Sequence, residues 1–215
     1  MTGAPDFRAA EWPDQDAKDR ALASVTPLLP APTFGRLPPL SVGQHRFVAG
    51  DDGVYVQARS EALSVCVRVG RTMPLPYGPV NEVVALRGGH LPLDLFETAV
   101  ARSVELCPEE WAGLVLWDST AGAYRLVEPA VETRSATGVR YSLSGIDQSR
   151  VVVDLHSHGK GEAYFSGIDD TSDAHGVYLA SVLGRCRDTA SVTLATRIVV
   201  NGMHFDVPWS PWCKD

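Results

Sequence analysis

No stretch of this 215-residue chain approaches an unbroken run of roughly 20 apolar residues, the length that spans a bilayer, so a membrane-spanning helix is excluded. The chain also lacks any Lys/Arg run. With 19 basic against 26 acidic residues, its formal net charge is −7 and its pI about 5.3. That balance gives no electrostatic reason to bind nucleic-acid phosphates or an anionic membrane. The first twenty residues mix Asp, Glu, Lys and Pro without an apolar core of signal-peptide length. Export is therefore not expected, and a cytoplasmic location is. Cysteine is sparse. Cys66, Cys107, Cys186 and Cys213 are scattered with no CxxC pair and read as reduced, partly buried thiols. The paired cysteines of a zinc deaminase are missing, and no Cys/His motif supports a thiol protease at Cys107. No internal repeat is evident.

What the chain does have is a normal hydrophobic fraction of 45%, enough for a sizeable core. Residues 1–40 are rich in proline and charge and read as an extended, partly disordered lead-in, with a short helix across 16–25. Residues 41–90 read as a small β-rich domain. Arg46-Phe47-Val48-Ala49, a tight turn at Gly50-Asp51-Asp52-Gly53, and Val54-Tyr55-Val56-Gln57-Ala58-Arg59 form a hairpin. Strands over 63–69 and 83–86 complete the unit.

Residues 91–215 form the third region. Leu95, Phe96, Ala99, Val100 and Val104 fall at helix spacing, and Pro108 closes that helix. Strands are expected over 111–117, 123–127, 138–143 and 150–155, then a helix over 169–183. A hairpin over 191–200 and 203–207, turning at Asn201-Gly202, closes the region. The tail tryptophans Trp209 and Trp212 are expected to pack onto the protein's own surface. The order of elements predicts an α/β sandwich preceded by a β-rich appendage.

The chemistry concentrates between Asp154 and Asp169. After the apolar Val151-Val152-Val153, strand alternation puts His156 and His158 on one face at the strand's end. Two imidazoles so placed can hold one zinc ion. A seven-residue loop returns to Ser166-Gly167-Ile168-Asp169, and Asp169 can supply a carboxylate ligand at the start of the next helix. Two histidines and one carboxylate leave a tetrahedral position open to water, the pattern of catalytic rather than structural zinc. Asp170 and Asp173 compete for the ligand role, and both also read as acids favoured near a helix N-terminus. Hydrolysis needs a proton-carrying carboxylate beside the metal. Glu110, where helix gives way to strand, is the candidate, and the adjacent Glu109 is the alternative. The Ser166 hydroxyl can donate to the oxyanion of a tetrahedral intermediate. Asp154 either orients a histidine or faces water at the strand end. His45, His90, His175 and His204 stand at no ligand spacing and are read as structural.

The pattern HxH, seven residues, SxxD, with an upstream ExxGxL at a helix–strand junction, resembles the JAMM (JAB1/MPN+) metalloprotease signature over residues 91–215. The resemblance implies a JAB/MPN-like, cytidine-deaminase-like α/β sandwich with a mixed curved sheet and flanking helices. It implies one Zn²⁺ held by His156, His158 and Asp169, with Glu110 as general acid/base and Ser166 as oxyanion stabiliser. Gly113, three residues on, selects Glu110 over Glu109 through this comparison alone. The activity implied is hydrolysis of an isopeptide or peptide bond after the C-terminal Gly of a ubiquitin-like protein. One departure is Gly159, where many members carry proline, which leaves the rigidity of the loop open. The length and appendage resemble the bacterial PRTRC-cassette branch, where a ThiF-like (E1-like) adenylating enzyme is also encoded. Two other readings stand beside this one: a non-catalytic MPN-type scaffold, and a zinc hydrolase of another small peptide or amide.

Overall fold

The structure, a computed structural model, describes residues 17–207 and 210–213. Residues 1–16 of the expected lead-in and Trp209 of the tail lie outside the described residues. The described residues begin with α1 (Ala17–Val25) and a short strand, β1 (Leu28–Pro30). This strand falls within the segment read as an extended lead-in. It lies parallel to β2 (His45–Ala49), at the edge of the sheet, where proline is tolerated because its missing N–H need not face a neighbouring strand. Next come β3 (Gly53–Arg59), β4 (Leu63–Arg71) and β5 (Val83–Leu86), completing a five-stranded sheet in the order β1-β2-β3-β4-β5. Val56, Ala58, Val65 and Val67 belong to the main apolar cluster, while Val48, Tyr55 and Cys66 lie in a separate one.

The two-residue strand β6 (Leu91–Pro92) leads into α2 (Leu93–Leu106). Ala99, Val100 and Ser103 are its buried residues, and Leu95, Phe96 and Val104 pack against the same core. Pro108 stops it, because a residue before proline is pushed out of the helical region, and Cys107 has ψ 129°. There follow β7 (Ala112–Asp118), β8 (Ala123–Val127), β9 (Ala130–Ser135), β10 (Gly138–Ser142) and β11 (Val151–Ser157). Then come α3 (Gly167–Ser172), β12 (Val177–Gly184), β13 (Thr193–Val200), β14 (Met203–Asp206) and β15 (Trp212–Cys213). A mixed six-stranded sheet runs β14-β13-β12-β11-β7-β8, with β11 and β12 its parallel pair. β9 and β10 form a separate two-stranded ribbon. β9 was not expected: it is almost wholly exposed, so it carries no hydrophobic alternation.

The helix expected over 169–183 is corrected. Only Gly167–Ser172 is helical, and Val177–Gly184 is a central strand. The helix ends at its C-cap Asp173, and Gly176, at φ 92°, leaves the helical region just before the strand begins. The following Val-Tyr-Leu-Ala-Ser-Val-Leu run pairs with β11 on one side and β13 on the other. A strand buried on both faces loses its alternation, and its apolar run then looks like a buried helix.

One apolar cluster joins residues of β3 and β4 to α2 and to Trp111, Val153, Leu155, Leu179, Leu183, Ile198 and Trp212. Trp212 stacks on Phe96 with ring centroids 5.3 Å apart, in keeping with the packing expected of the tail. Asp154, His156, Tyr178, Ala180 and Arg197 alternate with these core residues and occupy the opposite face of the six-stranded sheet. Among the described residues no helix is long and apolar enough to cross a membrane.

Candidate metal centre

β11 lies between β7 and β12, so its backbone is held on both sides, with His156 opposite Ala112 and Val182. Leu155 and Ser157 are fully buried in the core, which turns Asp154, His156 and His158 to the other face. Ser157 fastens this end of the strand: its N–H donates to the Trp111 carbonyl and its hydroxyl accepts from the Trp111 N–H, each at 2.8 Å. The His158 N–H donates to the Leu183 carbonyl at 2.8 Å. Both histidines are thus carried by sheet backbone rather than by a free loop.

Asp169 arrives from α3 through a capping box with Ser166. The Ser166 N–H donates to Asp169 Oδ2 at 2.6 Å, and the Ser166 hydroxyl accepts from the Asp169 N–H at 3.3 Å. The carboxylate therefore splits its work. Oδ2 caps the helix, and Oδ1 lies 3.1 Å from His156 Nε2. The SxxD spacing thus has a local physical cause apart from any ligand role, since it is also a helix-start signature.

His156, His158 and Asp169 each bring one ligand atom into a group whose members all lie within 4.8 Å of one another. The two Nε2 atoms are 3.3 Å apart. Two zinc–nitrogen bonds of roughly 2.0–2.1 Å, opened to a tetrahedral angle, separate their nitrogens by about 3.3–3.4 Å, so the donor set fits zinc in both chemistry and spacing. His158 Nδ1 faces the Glu162 carbonyl at 3.1 Å. A carbonyl only accepts, so Nδ1 carries the proton and Nε2 presents its lone pair to the cluster. Asp170 and Asp173, the competing carboxylates, are turned away and bond Arg197.

The local charges follow from burial and pairing. Burial favours neutral Asp169, yet the hydrogen bonds from His156 and Ser166 hold its carboxyl well below the usual carboxylate range. Burial opposes charge on His156, but Asp169, Asp154 and Glu110 together raise its pKa. Burial lowers that of His158, with the charge of His156 adding to it. Asp154 is pushed up to about 6 by burial, against the hydrogen bond it accepts from Tyr141 at 2.6 Å.

Glu110 is buried and lines the same cleft as the three ligands, whereas Glu109 is exposed. Its N–H is tied to the Ser135 carbonyl at 2.8 Å, fixing it against the ribbon. Burial pushes its carboxyl up, His156 pulls it down, and the charge of Asp169 raises it again. Gly113 has a steric cause: a Cβ there would sit 2.3 Å from the Trp111 ring. Ser166 also lines the cleft, and a hydroxyl that accepts from Asp169 keeps its own proton to donate.

A model of the family described as prokaryotic homologs of the JAB domain matches residues 92–198. This part of the chain is a domain of the JAB family. Residues 16–87 match a second family, described as a domain of unknown function (DUF2016). No curated protein matches the chain. The JAB domain's cleft, of about 380 Å³, runs over the sheet face from His158 and Ser166 toward Tyr141, Leu143 and Val151. Tyr141, Tyr178, Arg197 and His175 also stand on this JAB domain's site face, and none was expected there; His175, read as structural, is exposed and lines the cleft. Of these, only Arg197 carried a usable signal, a charge within the apolar run Thr193–Val200.

Proposed function

We propose that this JAB-family protein is a zinc-dependent peptidase of the JAMM type, cutting a peptide or isopeptide bond after the C-terminus of a ubiquitin-like protein. The observation that carries this reading is the convergence of three zinc-spaced donors and the buried Glu110 carboxyl on one cleft. A zinc ion held by His156, His158 and Asp169 would supply Lewis-acid polarisation of a carbonyl and acidify a water molecule.

The chain's own residues do the rest. Glu110, held partly desolvated, takes the proton of the attacking water and returns it to the leaving amine. The Ser166 hydroxyl donates to the oxyanion as the tetrahedral intermediate forms. His158 keeps its orientation through the Glu162 carbonyl. A non-catalytic scaffold has no use for three converging donors and a buried carboxyl beside them, which favours the enzyme over that alternative.

The proposed substrate is a ubiquitin-like protein or its conjugate, with a ThiF/E1-like adenylating enzyme as the proposed pathway partner and the cytoplasm as the setting. Purified protein is expected to carry one zinc per chain, and Glu110→Gln to keep the metal while losing cleavage of a bond after the C-terminus of a ubiquitin-like protein. Full cleavage by Glu110→Gln sinks the mechanism. Cleavage of small peptides alone moves the substrate to the other class of zinc hydrolase.

A further inference from the structure

The element that carries Asp169 has no apolar anchor. α3 is six residues long and none of them is buried. Ile168, its one large apolar side chain, is 75% exposed. A helix this short has no stability of its own, since helix nucleation costs more than a few hydrogen bonds return. Yet a metal ligand has to be held within a few tenths of an ångström of its working position, so something other than core packing fixes α3.

The contacts around it converge on one side chain. Arg197 lies in β13, in the sheet, and is only 8% exposed. Its Nη1 donates to Asp170 Oδ1 at 2.5 Å, and its Nε and Nη2 donate to Asp173 Oδ2 at 3.1 and 2.7 Å. The guanidinium lies over the Phe165 ring, 4.0 Å from its centroid. Phe165 precedes the capping Ser166, Asp170 follows Asp169, and Asp173 is the C-cap of α3. These three contacts bracket the segment that holds both Ser166 and Asp169. The Tyr178 hydroxyl adds a hydrogen bond to Asp173 Oδ1 at 2.7 Å, and His204 Nδ1 stands 3.7 Å from Asp170 Oδ1.

From this we infer that Arg197 is the positioning residue of the metal centre: it sets Asp169 by anchoring α3 to the sheet. The inference rests on reading the cluster as a metal centre. A planar fork that donates in several directions and stacks on an aromatic ring suits this task, and lysine, a point charge, cannot reproduce it. The arrangement differs from the way the histidines are held. They ride on a strand whose other face is core, whereas the carboxylate rides on an ion-pair network.

The test compares the full-length protein with Arg197→Met and Arg197→Lys. In metal-free protein, hydrogen exchange reads the Asp170 and Asp173 amides, which donate to the Ser166 and Asp169 carbonyls. Arg197→Met is expected to lower their protection at least ten-fold while the His158 amide, bonded to Leu183, stays protected. Competition against a chelator is expected to show zinc bound at least ten-fold more weakly, with Arg197→Lys recovering part of the loss. Unchanged α3 exchange, or zinc affinity within two-fold of the parent, overturns the inference. So does an even loss of protection across α3 and β11, which marks a residue that merely holds the fold. Should Arg197→Met fail to fold, Asp170→Asn removes one arm of the anchor from a half-exposed site and is expected to shift both readouts the same way. A parent protein that takes up no zinc defeats the metal reading alone, and the exchange arm still decides whether Arg197 anchors α3.

Discussion

A Cβ on Gly159 would lie 2.3 Å from the carbonyl oxygen of Pro108, so a backbone close approach leaves no room for a side chain after the second histidine. Gly159 also has φ 51°, outside the reach of proline. The departure from the common family pattern therefore does not mark a slack loop. The Cys186 N–H donates to the Gly159 carbonyl at 2.8 Å and pins it. Gly159→Ala is expected to cost about 1–3 kcal/mol, from positive φ and overpacking together, and Gly159→Pro more. Thermal unfolding measures both, and a neutral Gly159→Pro would show that the approach is not rigid.

Zinc should stabilise the folded chain through mass action. At a free concentration about one hundred times its Kd, the gain is about 2.7 kcal/mol, and a chelator removes it. His158→Ala, which deletes one of the three donors, is expected to abolish the zinc-dependent rise in Tm. An equal rise in that variant would place the ion elsewhere.

Ser166 has two separable duties. Ser166→Ala removes the cap of α3, worth about 0.5–2 kcal/mol locally, and the proposed oxyanion donor, worth roughly 10²–10³ in kcat. Cleavage should therefore fall much further than zinc affinity. Parallel losses in the two measurements would assign Ser166 to capping alone.

Asp154 predicts a pH dependence for the metal-free protein. Its folded pKa of about 6 lies above its ordinary value of 3.8. Between those values the folded state binds more protons than the unfolded one, so stability falls as pH rises through this window. The penalty is complete above about pH 6 and reaches at most about 3 kcal/mol by the 1.36 kcal/mol per unit conversion. Asp154→Asn keeps an acceptor for Tyr141 and is expected to raise Tm at about pH 7.5 but not at about pH 4. Equal gains at both pH values would remove burial of charge as the cause.

Much of the architecture was legible because periodicity is local. The 45–59 hairpin, the amphipathic α2 and the closing turn at Asn201-Gly202 all carry patterns set by residues a few positions apart. The exposed β9 and the doubly buried β12 were not legible, one because all its faces see solvent and the other because neither does.

Local spacing brings the candidate ligands within reach in their order along the chain. A period of two places His156 and His158 on one side of a strand, and a three-residue step ties Ser166 to Asp169 in a cap. Which of three neighbouring aspartates faces the histidines is instead a matter of tertiary packing. That choice depends on where Arg197 stands, 27 residues from Asp170 in the chain but 2.5 Å away in space. A buried guanidinium must be paired, so it claims Asp170 and Asp173 and leaves Asp169 to the cluster.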